Sequence, residues 1–274
     1  MRLFARVRPA LAVLTTATVT ACGAAYPAPP SASAPERSPA SDPVTAAVQE
    51  SPGAAHPVPA DPRIGALFYG TDDLHFCSAS VIESAVADLI LTAAHCVTDG
   101  ADTTFVPGYS DGASSDARWR LDAVYLDPRW MADQDPAADF AVARVSRNDG
   151  DSLRAIADGG LRLGGAPAPG TAVTVVGYGV GVGGGPTACS AATAPPRDGF
   201  PEVRCDGIVA GFSGAPWEAG STVVGIIGGL DGGGCRDEVS YTPAFGDAVR
   251  TLVARAEAGG PSDDPPASFD DGCS

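Results

Sequence analysis

Residues 91–96 read LTAAHC, and they follow directly on the apolar pair Leu89 and Ile90. A short β-rich run that ends in a histidine predicts that His95 lies where a strand ends. An imidazole at such a place can serve as the base that activates a nucleophile. It can equally have a structural role, so the surrounding sequence has to decide between the two interpretations.

Similar short runs lie on both sides of this histidine and indicate an all-β protein. The chain has 274 residues, 45% of them hydrophobic, with 34 Gly and 25 Pro. Many short strands separated by Gly, Pro and Asp favour a barrel or a sandwich. Only residues 245–258 have helical periodicity, with Phe245, Ala248, Val249, Leu252 and Val253 on one face. The β-rich runs are IGALFYG, ASVIESA, DLILTAAH, TTFVPGY, WRLDAVYL, DFAVARV, TAVTVVGYG and STVVGIIGGL.

A candidate nucleophile is Ser213, in the segment AGFSGAPW of residues 210–217. Small residues around a hydroxyl allow a tight turn that exposes the hydroxyl and nearby N–H groups. The chain has no lysine, so the base must be one of three histidines, all of which precede Ser213. This order excludes an α/β-hydrolase, whose histidine follows its serine, and Ala215 breaks the G-x-S-x-G pattern of that fold.

A carboxylate is expected to orient the histidine, and three aspartates lie close together in the sequence. Asp139 leads straight into the apolar run DFAVARV, whereas Asp133 and Asp135 lie in a polar segment. A buried aspartate at the start of a strand is costly unless it has a partner. We therefore predict that Asp139 pairs with His95 and that the other two are solvated loop residues.

These segments together resemble the trypsin-like (chymotrypsin-fold) serine proteases over about residues 63–256. The resemblance rests on HFCSASVI and LTAAHC, on DFAVARV, on Gly177-Tyr178-Gly179, on VGIIGG at 224–229 and on Ser240-Tyr241-Thr242 before the helix. It implies two antiparallel β-barrels with a C-terminal helix. The implied site residues are the triad of His95, Asp139 and Ser213, oxyanion-hole N–H groups of Gly211 and Ser213, substrate-pocket residues Gly207, Gly228 and Gly229, and a structural neighbour, His75.

The cysteines predict disulfide bonds and export. Six of the seven cysteines follow Cys22, and an even number in an exported protein indicates bridges. The resemblance implies Cys77–Cys96. Cys189 and Cys205 flank a Pro-rich loop and are expected to close it, which would leave Cys235 with Cys273. A rival pairing joins Cys205 to Cys235.

The serine segment also departs from the family. Its motif is G-D-S-G-G-P, in which the aspartate pairs with a new N-terminal ammonium after cleavage, and here Phe212 occupies that position. Arg63-Ile64 looks like a cleavage site, but Ile64 lies only 13 residues before Cys77, roughly half the family's spacing. We therefore predict that IGALF is a barrel strand and that N-terminal insertion is absent. Asp206, next to the pocket position Gly207, is interpreted as a solvated turn residue, with a preference for basic substrates as the alternative.

The remaining sequence predicts the domain organisation. Residues 1–22 have an Arg-rich start and a short apolar stretch typical of an export signal. Their last four residues, VTAC, resemble a bacterial lipobox ending at a lipid-modified Cys22, and ordinary cleavage nearby, for instance after Ala25, is the alternative. Residues 23–60 are interpreted as a disordered Pro/Ala/Ser-rich tether, 61–258 as the protease domain, and 259–274 as an acidic tail.

Composition limits the partners. A formal net charge of −16 argues against nucleic acid. No cofactor is predicted, because the glycines of residues 179–184 are followed by a Pro-rich loop and not by a helix. No metal site is predicted, since no C-x-x-C pair and only three histidines occur. We expect a secreted or surface lipoprotein that acts on protein or peptide substrates, with a monomer as the expected state. The alternative is a tethered pseudoprotease that binds a peptide or protein.

Overall fold

The computed structural model describes residues 53–98, 102–112, 117–148, 150–180, 184–236, 238–271 and 273. These residues form mainly β-structure. The strands are β1 Gly53–Ala54, β2 His56–Pro57, β3 Ile64–Tyr69, β4 His75–Ile82, β5 Leu89–Thr92, β6 Thr103–Pro107, β7 Trp119–Leu126, β8 Ala141–Ser146, β9 Arg162–Leu163, β10 Ala172–Gly177, β11 Thr187–Arg197, β12 Phe200–Asp206, β13 Pro216–Ala219, β14 Thr222–Ile226 and β15 Val239–Tyr241. The α-helices are α1 Pro128–Asp133, α2 Leu153–Ile156 and α3 Asp247–Glu257.

Six strands of the N-terminal half close into an antiparallel barrel in the order β3-β4-β5-β8-β7-β6, and β6 pairs back with β3. Every residue of β5 is buried, as are the first five of β3. The interior of so small a barrel is filled by side chains; here they include Leu67, Phe105, Trp119 and Tyr125. Ile64 begins β3, so IGALF is a barrel strand, as predicted.

The C-terminal half of the described chain forms a nine-stranded sheet. Its main order is β1-β12-β11-β10-β13-β14-β9, while β15 pairs with β12 and β2 with β11. The predicted chymotrypsin-like fold class is confirmed. The second half differs in detail from a purely antiparallel barrel, because the short strands β1 and β9 add parallel pairs at its edges.

The strands β1 and β2 lie inside the range predicted to be a tether. Gly53 and Ala54 pair with Cys205 and Asp206, and His56 and Pro57 pair with β11. Backbone pairing of this kind needs no hydrophobic periodicity, so the composition gives no signal of it. Residues 1–52, with the predicted signal, lipobox and most of the tether, lie outside the described residues.

Helix α3 packs against the first barrel. Its buried residues Val249, Leu252 and Ala256 join the barrel's hydrophobic cluster, together with Phe245 just before the helix. The predicted helix of residues 245–258 is therefore confirmed, with slightly shorter ends. No helix within the described ranges is both long and apolar enough to cross a membrane.

Three disulfides join Cys77 to Cys96, Cys189 to Cys205 and Cys235 to Cys273. They are the pairs favoured by the sequence, and the rival Cys205–Cys235 is not formed. The first joins β4 to the turn after β5, the second joins β11 to β12, and the third fastens the C-terminal tail. Bonds of this kind are typical of proteins that fold in an oxidising compartment.

Candidate active site

His95 lies in a single 3₁₀ turn, Ala94–Cys96, directly after β5. Its neighbours Ala94 and Cys96 are buried, and Cys96 is bonded to Cys77 of β4. The backbone of the turn is therefore held from both sides, while the imidazole keeps 11% of its surface exposed. A histidine fixed in this way has a defined direction and remains accessible to a substrate.

Asp139 binds the imidazole from the interior. Its carboxylate is fully buried and follows a 3₁₀ turn, Pro136–Ala138, immediately before β8. Oδ2 lies 2.8 Å from His95 Nδ1 and accepts the Gly229 N–H at 2.8 Å, while Oδ1 accepts the His95 backbone N–H at 3.0 Å. Three donors offset the cost of burying the charge. With Nδ1 held by Asp139, Nε2 is the ring nitrogen left to face a nucleophile.

The two neighbouring aspartates do not reach the imidazole. Asp135 caps the 3₁₀ turn by accepting the Ala137 N–H at 2.9 Å. Asp133 ends helix α1 and is exposed. Both therefore have the local and solvated roles expected from the sequence.

Ser213 lies in a tight loop between β12 and β13. Its flanking glycines have positive φ, 95° at Gly211 and 80° at Gly214. A Cβ on Gly214 would overlap Ser78 O and Thr92 Oγ1, so a residue with a side chain cannot take this position. The small residues around Ser213 are thus required both by backbone conformation and by the close approach of the first barrel.

Ser78 connects this loop to β4, and sequence reasoning assigned it no role. Its N–H donates to Ser213 O at 2.8 Å, and its hydroxyl donates to Gly211 O at 2.9 Å while accepting the Tyr178 N–H at 2.9 Å. Ser78 is fully buried. The only sequence signal was its position directly after Cys77, which does not reveal contacts to residues more than a hundred positions away.

The N–H groups of Gly211 and Ser213 donate no hydrogen bond to any described group. The neighbouring N–H groups of the loop are paired: Phe212 N donates to Val209 O at 3.2 Å, Gly214 N to Ile227 O at 2.8 Å and Ala215 N to Phe212 O at 2.8 Å. Two unpaired backbone donors beside a serine hydroxyl can bind the oxygen of a polarised carbonyl.

The buried side chain of Phe212 anchors the Ser213 loop in the hydrophobic core of the second sheet. Its side chain is 1% exposed and packs in the core of the second sheet with Ala215, Trp217 and Val175. A Cβ built on Gly177 would lie 2.6 Å from Phe212 Cδ1, so the ring fills the space next to that glycine. An apolar contact therefore occupies the position where the family motif has a charged one.

His95 and Ser213 line one pocket of about 450 Å³. The other lining residues include Ile208–Gly211, Asp231–Arg236, Phe76 and Cys77. None of the three predicted pocket glycines is among these lining residues: Gly207 lies next to Ala55, Gly228 lies close to Asp139, and the Gly229 N–H donates to Asp139. Ile208, next to Gly207, and Ile227, next to Gly228, do line the pocket. Asp206 is exposed on β12 and is not among the lining residues.

His75 packs within a group of aromatic side chains. Its ring makes edge contacts with Phe68, Tyr109 and Tyr178. Burial lowers the pKa of His75 below its ordinary value. This is an aromatic packing role, as expected of a structural neighbour.

A metal site is not formed by this constellation. Among the described residues, the one group of three potential ligands is Cys77, His95 and Cys96. The two cysteines are joined in a disulfide, so neither can supply the thiolate that a metal requires.

Residues 77–226, more than half of the chain, match the family model of the trypsin-like peptidase domain. The protein therefore belongs to the trypsin-like peptidase family, a class of serine-type peptidases. A comparison with curated proteins found no match.

Solved structures share the fold at low sequence identity. Protease Anisep from Arthrobacter nicotinovorans is 22% identical with a TM-score of 0.65, and the match covers 75% of this chain and 100% of that one. The thermostable serine protease AL20 from an extremophilic microorganism is 22% identical with a TM-score of 0.61, covering 72% and 98%. A Glu endopeptidase in complex with MPD is 17% identical with a TM-score of 0.60, covering 75% and 97%.

Proposed function

We propose that this protein is a serine endopeptidase that cleaves peptide bonds through an acyl-enzyme on Ser213. The observation that carries the proposal is that His95, whose Nδ1 is held by the buried Asp139, lines the same pocket as Ser213. Membership of a peptidase family supports this reading over the pseudoprotease alternative.

In the proposed mechanism, His95 Nε2 takes the proton of Ser213 Oγ as the oxygen attacks the scissile carbonyl. Asp139 holds the imidazole by Nδ1 and stabilises the imidazolium that forms. The oxyanion accepts hydrogen bonds from the N–H groups of Gly211 and Ser213, and the loss of one such donor lowers the rate by ~10²–10³-fold. The imidazolium then protonates the leaving amine, and the acyl-enzyme forms. Water, deprotonated by His95, hydrolyses the ester and releases the acid.

The enzyme is proposed to be active without N-terminal insertion. Ile64 is 1% exposed within β3 and paired to β4, so it is not available as a free terminus. Phe212 cannot accept an ion pair, and its burial supplies the anchoring of the serine loop by packing alone. Cleavage at Arg63 would disrupt the barrel and is not an activation step.

Export is part of the proposal. The three disulfides and the Arg-rich N-terminus support an extracellular enzyme, anchored by lipid at Cys22 or released by signal cleavage. Incorporation of labelled palmitate that is lost in Cys22→Ala would establish the anchor. No incorporation into the wild type would instead favour release.

A fluorophosphonate probe tests the nucleophile. The wild type should be labelled at neutral to mildly alkaline pH, and Ser213→Ala should not be labelled at all, because the attacking oxygen is removed. Ser221→Ala, at an exposed serine on a turn, is the control and should label like the wild type. Labelling of Ser213→Ala, or no labelling of the wild type, would contradict the proposal. If the labelling is as expected, digestion of an unstructured protein distinguishes endopeptidase activity from esterase activity.

A further inference from the structure

The C-terminal tail, predicted from the sequence as an acidic segment, packs along the first barrel. The Tyr125 hydroxyl donates to Gly260 O at 2.9 Å, and the Asp263 N–H donates to Val124 O at 2.8 Å. The Asp263 carboxylate accepts the Leu126 N–H at 2.8 Å and forms an ion pair with Arg255 of α3. The first half of the tail is therefore fixed by β7 and by Arg255 of α3.

The end of the tail reaches the active site and is fastened there. Gln134 Nε2 donates to Ser268 O at 2.6 Å, and Cys273 is bonded to Cys235 at the pocket wall. Phe269, Asp271 and Cys273 line the pocket that holds His95 and Ser213. Attachment on both sides of Phe269 limits where its ring can move.

Phe269 covers one face of the His95 ring. The two ring centroids are 4.9 Å apart and the planes differ by 18°, a stacked arrangement. Phe269 also contacts Trp130 with centroids 5.3 Å apart, beside a small apolar cluster that includes Leu126 and Ala138. Its Cε1 would lie 3.4 Å from a Cβ built on Gly232, so the ring also lies close to that glycine of the pocket lining.

This position matters for substrates. The imidazole must come within hydrogen-bond reach of the Ser213 hydroxyl when that oxygen attacks the scissile carbonyl, so the substrate residues beside that carbonyl lie close to His95. Phe269 lines the same pocket and covers one face of the imidazole, so its ring takes up space that one of these substrate residues would otherwise fill.

We propose that Phe269 is a specificity-determining residue, which restricts the substrate residue before the scissile one to small side chains. The inference rests on the proposed peptidase function. Ser213 remains partly exposed beside the ring, which favours a narrowed cleft over a blocked one. A large side chain at this substrate position would have to displace Phe269 from both His95 and Trp130.

The test compares full-length wild type, Phe269→Ala and Phe269→Leu on quenched peptide pools. In these pools the residue whose carbonyl is attacked is randomised, and the residue before it is fixed as Gly, Leu or Phe. Phe269→Ala should raise kcat/KM at least ~10-fold for the Leu and Phe pools and leave the Gly pool within about twofold. Phe269→Leu, which keeps most of the bulk, should give a smaller gain, and Leu74→Ala, at a side chain 79% exposed, should change nothing.

Other outcomes would overturn the inference in distinguishable ways. An equal gain for all pools would identify the tail as an inhibitory plug, and an equal loss or no change would leave it a purely structural role. A gain that appears only when the residue after the scissile bond is varied would place the restriction on the wrong side. If Phe269→Ala does not fold, Phe269→Leu must still raise the ratio of kcat/KM for the Phe pool to kcat/KM for the Gly pool, relative to the wild type. Failure of the wild type to label with fluorophosphonate would count against the peptidase function itself.

Discussion

Replacing Phe212 with alanine tests whether an apolar anchor holds the Ser213 loop. The ring is 1% exposed, and its neighbours Gly177 and Ala215 have little or no side chain with which to fill a cavity. A buried Phe→Ala change costs about 3–5 kcal/mol, and a site that cannot collapse lies at the upper end. We expect a loss of about 4 kcal/mol, a large share of the 5–15 kcal/mol typical of a domain.

The same substitution should slow catalysis in molecules that remain folded. Without the ring, the loop that carries the Gly211 and Ser213 N–H groups loses its contact with the core of the second sheet. Misplacing one oxyanion donor costs ~10²–10³ in rate. We therefore expect the second-order rate of fluorophosphonate labelling to fall by about 10²-fold or more.

The assay pairs urea unfolding with labelling at low temperature, where all variants are folded. Phe105→Ala is the matched control, because Phe105 is fully buried in the first barrel, away from the pocket. It should lose comparable stability and label at the wild-type rate. If Phe212→Ala is destabilised to the same degree but also labels at the wild-type rate, the apolar-anchor argument is wrong.

Two further predictions concern the carboxyl groups of the buried Asp139 and the half-buried Glu218. Asp139→Asn should lower kcat by about 10⁴ with the fold retained, because an amide cannot accept hydrogen bonds from Nδ1–H and from both backbone N–H groups as the carboxylate does. Equal kcat values for the two proteins would exclude an orienting role for Asp139. Burial raises the pKa of Glu218 to about 7, partly opposed by Arg63, so the folded state binds this proton more tightly than the unfolded state and loses stability as pH rises from about 4.5 to 7. Glu218→Gln should therefore stabilise the protein at pH 8 by roughly 1–2 kcal/mol, allowing for part exposure, and change little at pH 4.5. Urea unfolding midpoints at pH 8 and pH 4.5 measure the change in stability, and Glu83→Gln, at an exposed residue, is the control. A gain in stability that is the same at the two pH values would contradict the argument.

The sequence alone determined the fold class, the helix α3 and the candidate site residues His95, Asp139 and Ser213, and it left a rival pairing, Cys205–Cys235, open among the disulfides. These features depend on local patterns: alternating apolar runs, a histidine after a strand, an aspartate before one, and a serine between glycines. The polar segment around Asp133 and the apolar run after Asp139 were enough to separate the three aspartates, because burial of a charge requires a partner.

Tertiary structure alone decided which residues surround that site. Ser78 is joined to Gly211 and Ser213 across more than a hundred residues, and the pocket lining includes neighbours of the predicted glycines in place of those glycines. The tail has no hydrophobic periodicity, yet its one phenylalanine stacks on His95, because a disulfide and a few backbone bonds fix its path. Contacts of this kind depend on how distant segments meet in space. The local sequence pattern that predicts a strand or a turn does not specify contacts between residues that are far apart in the chain.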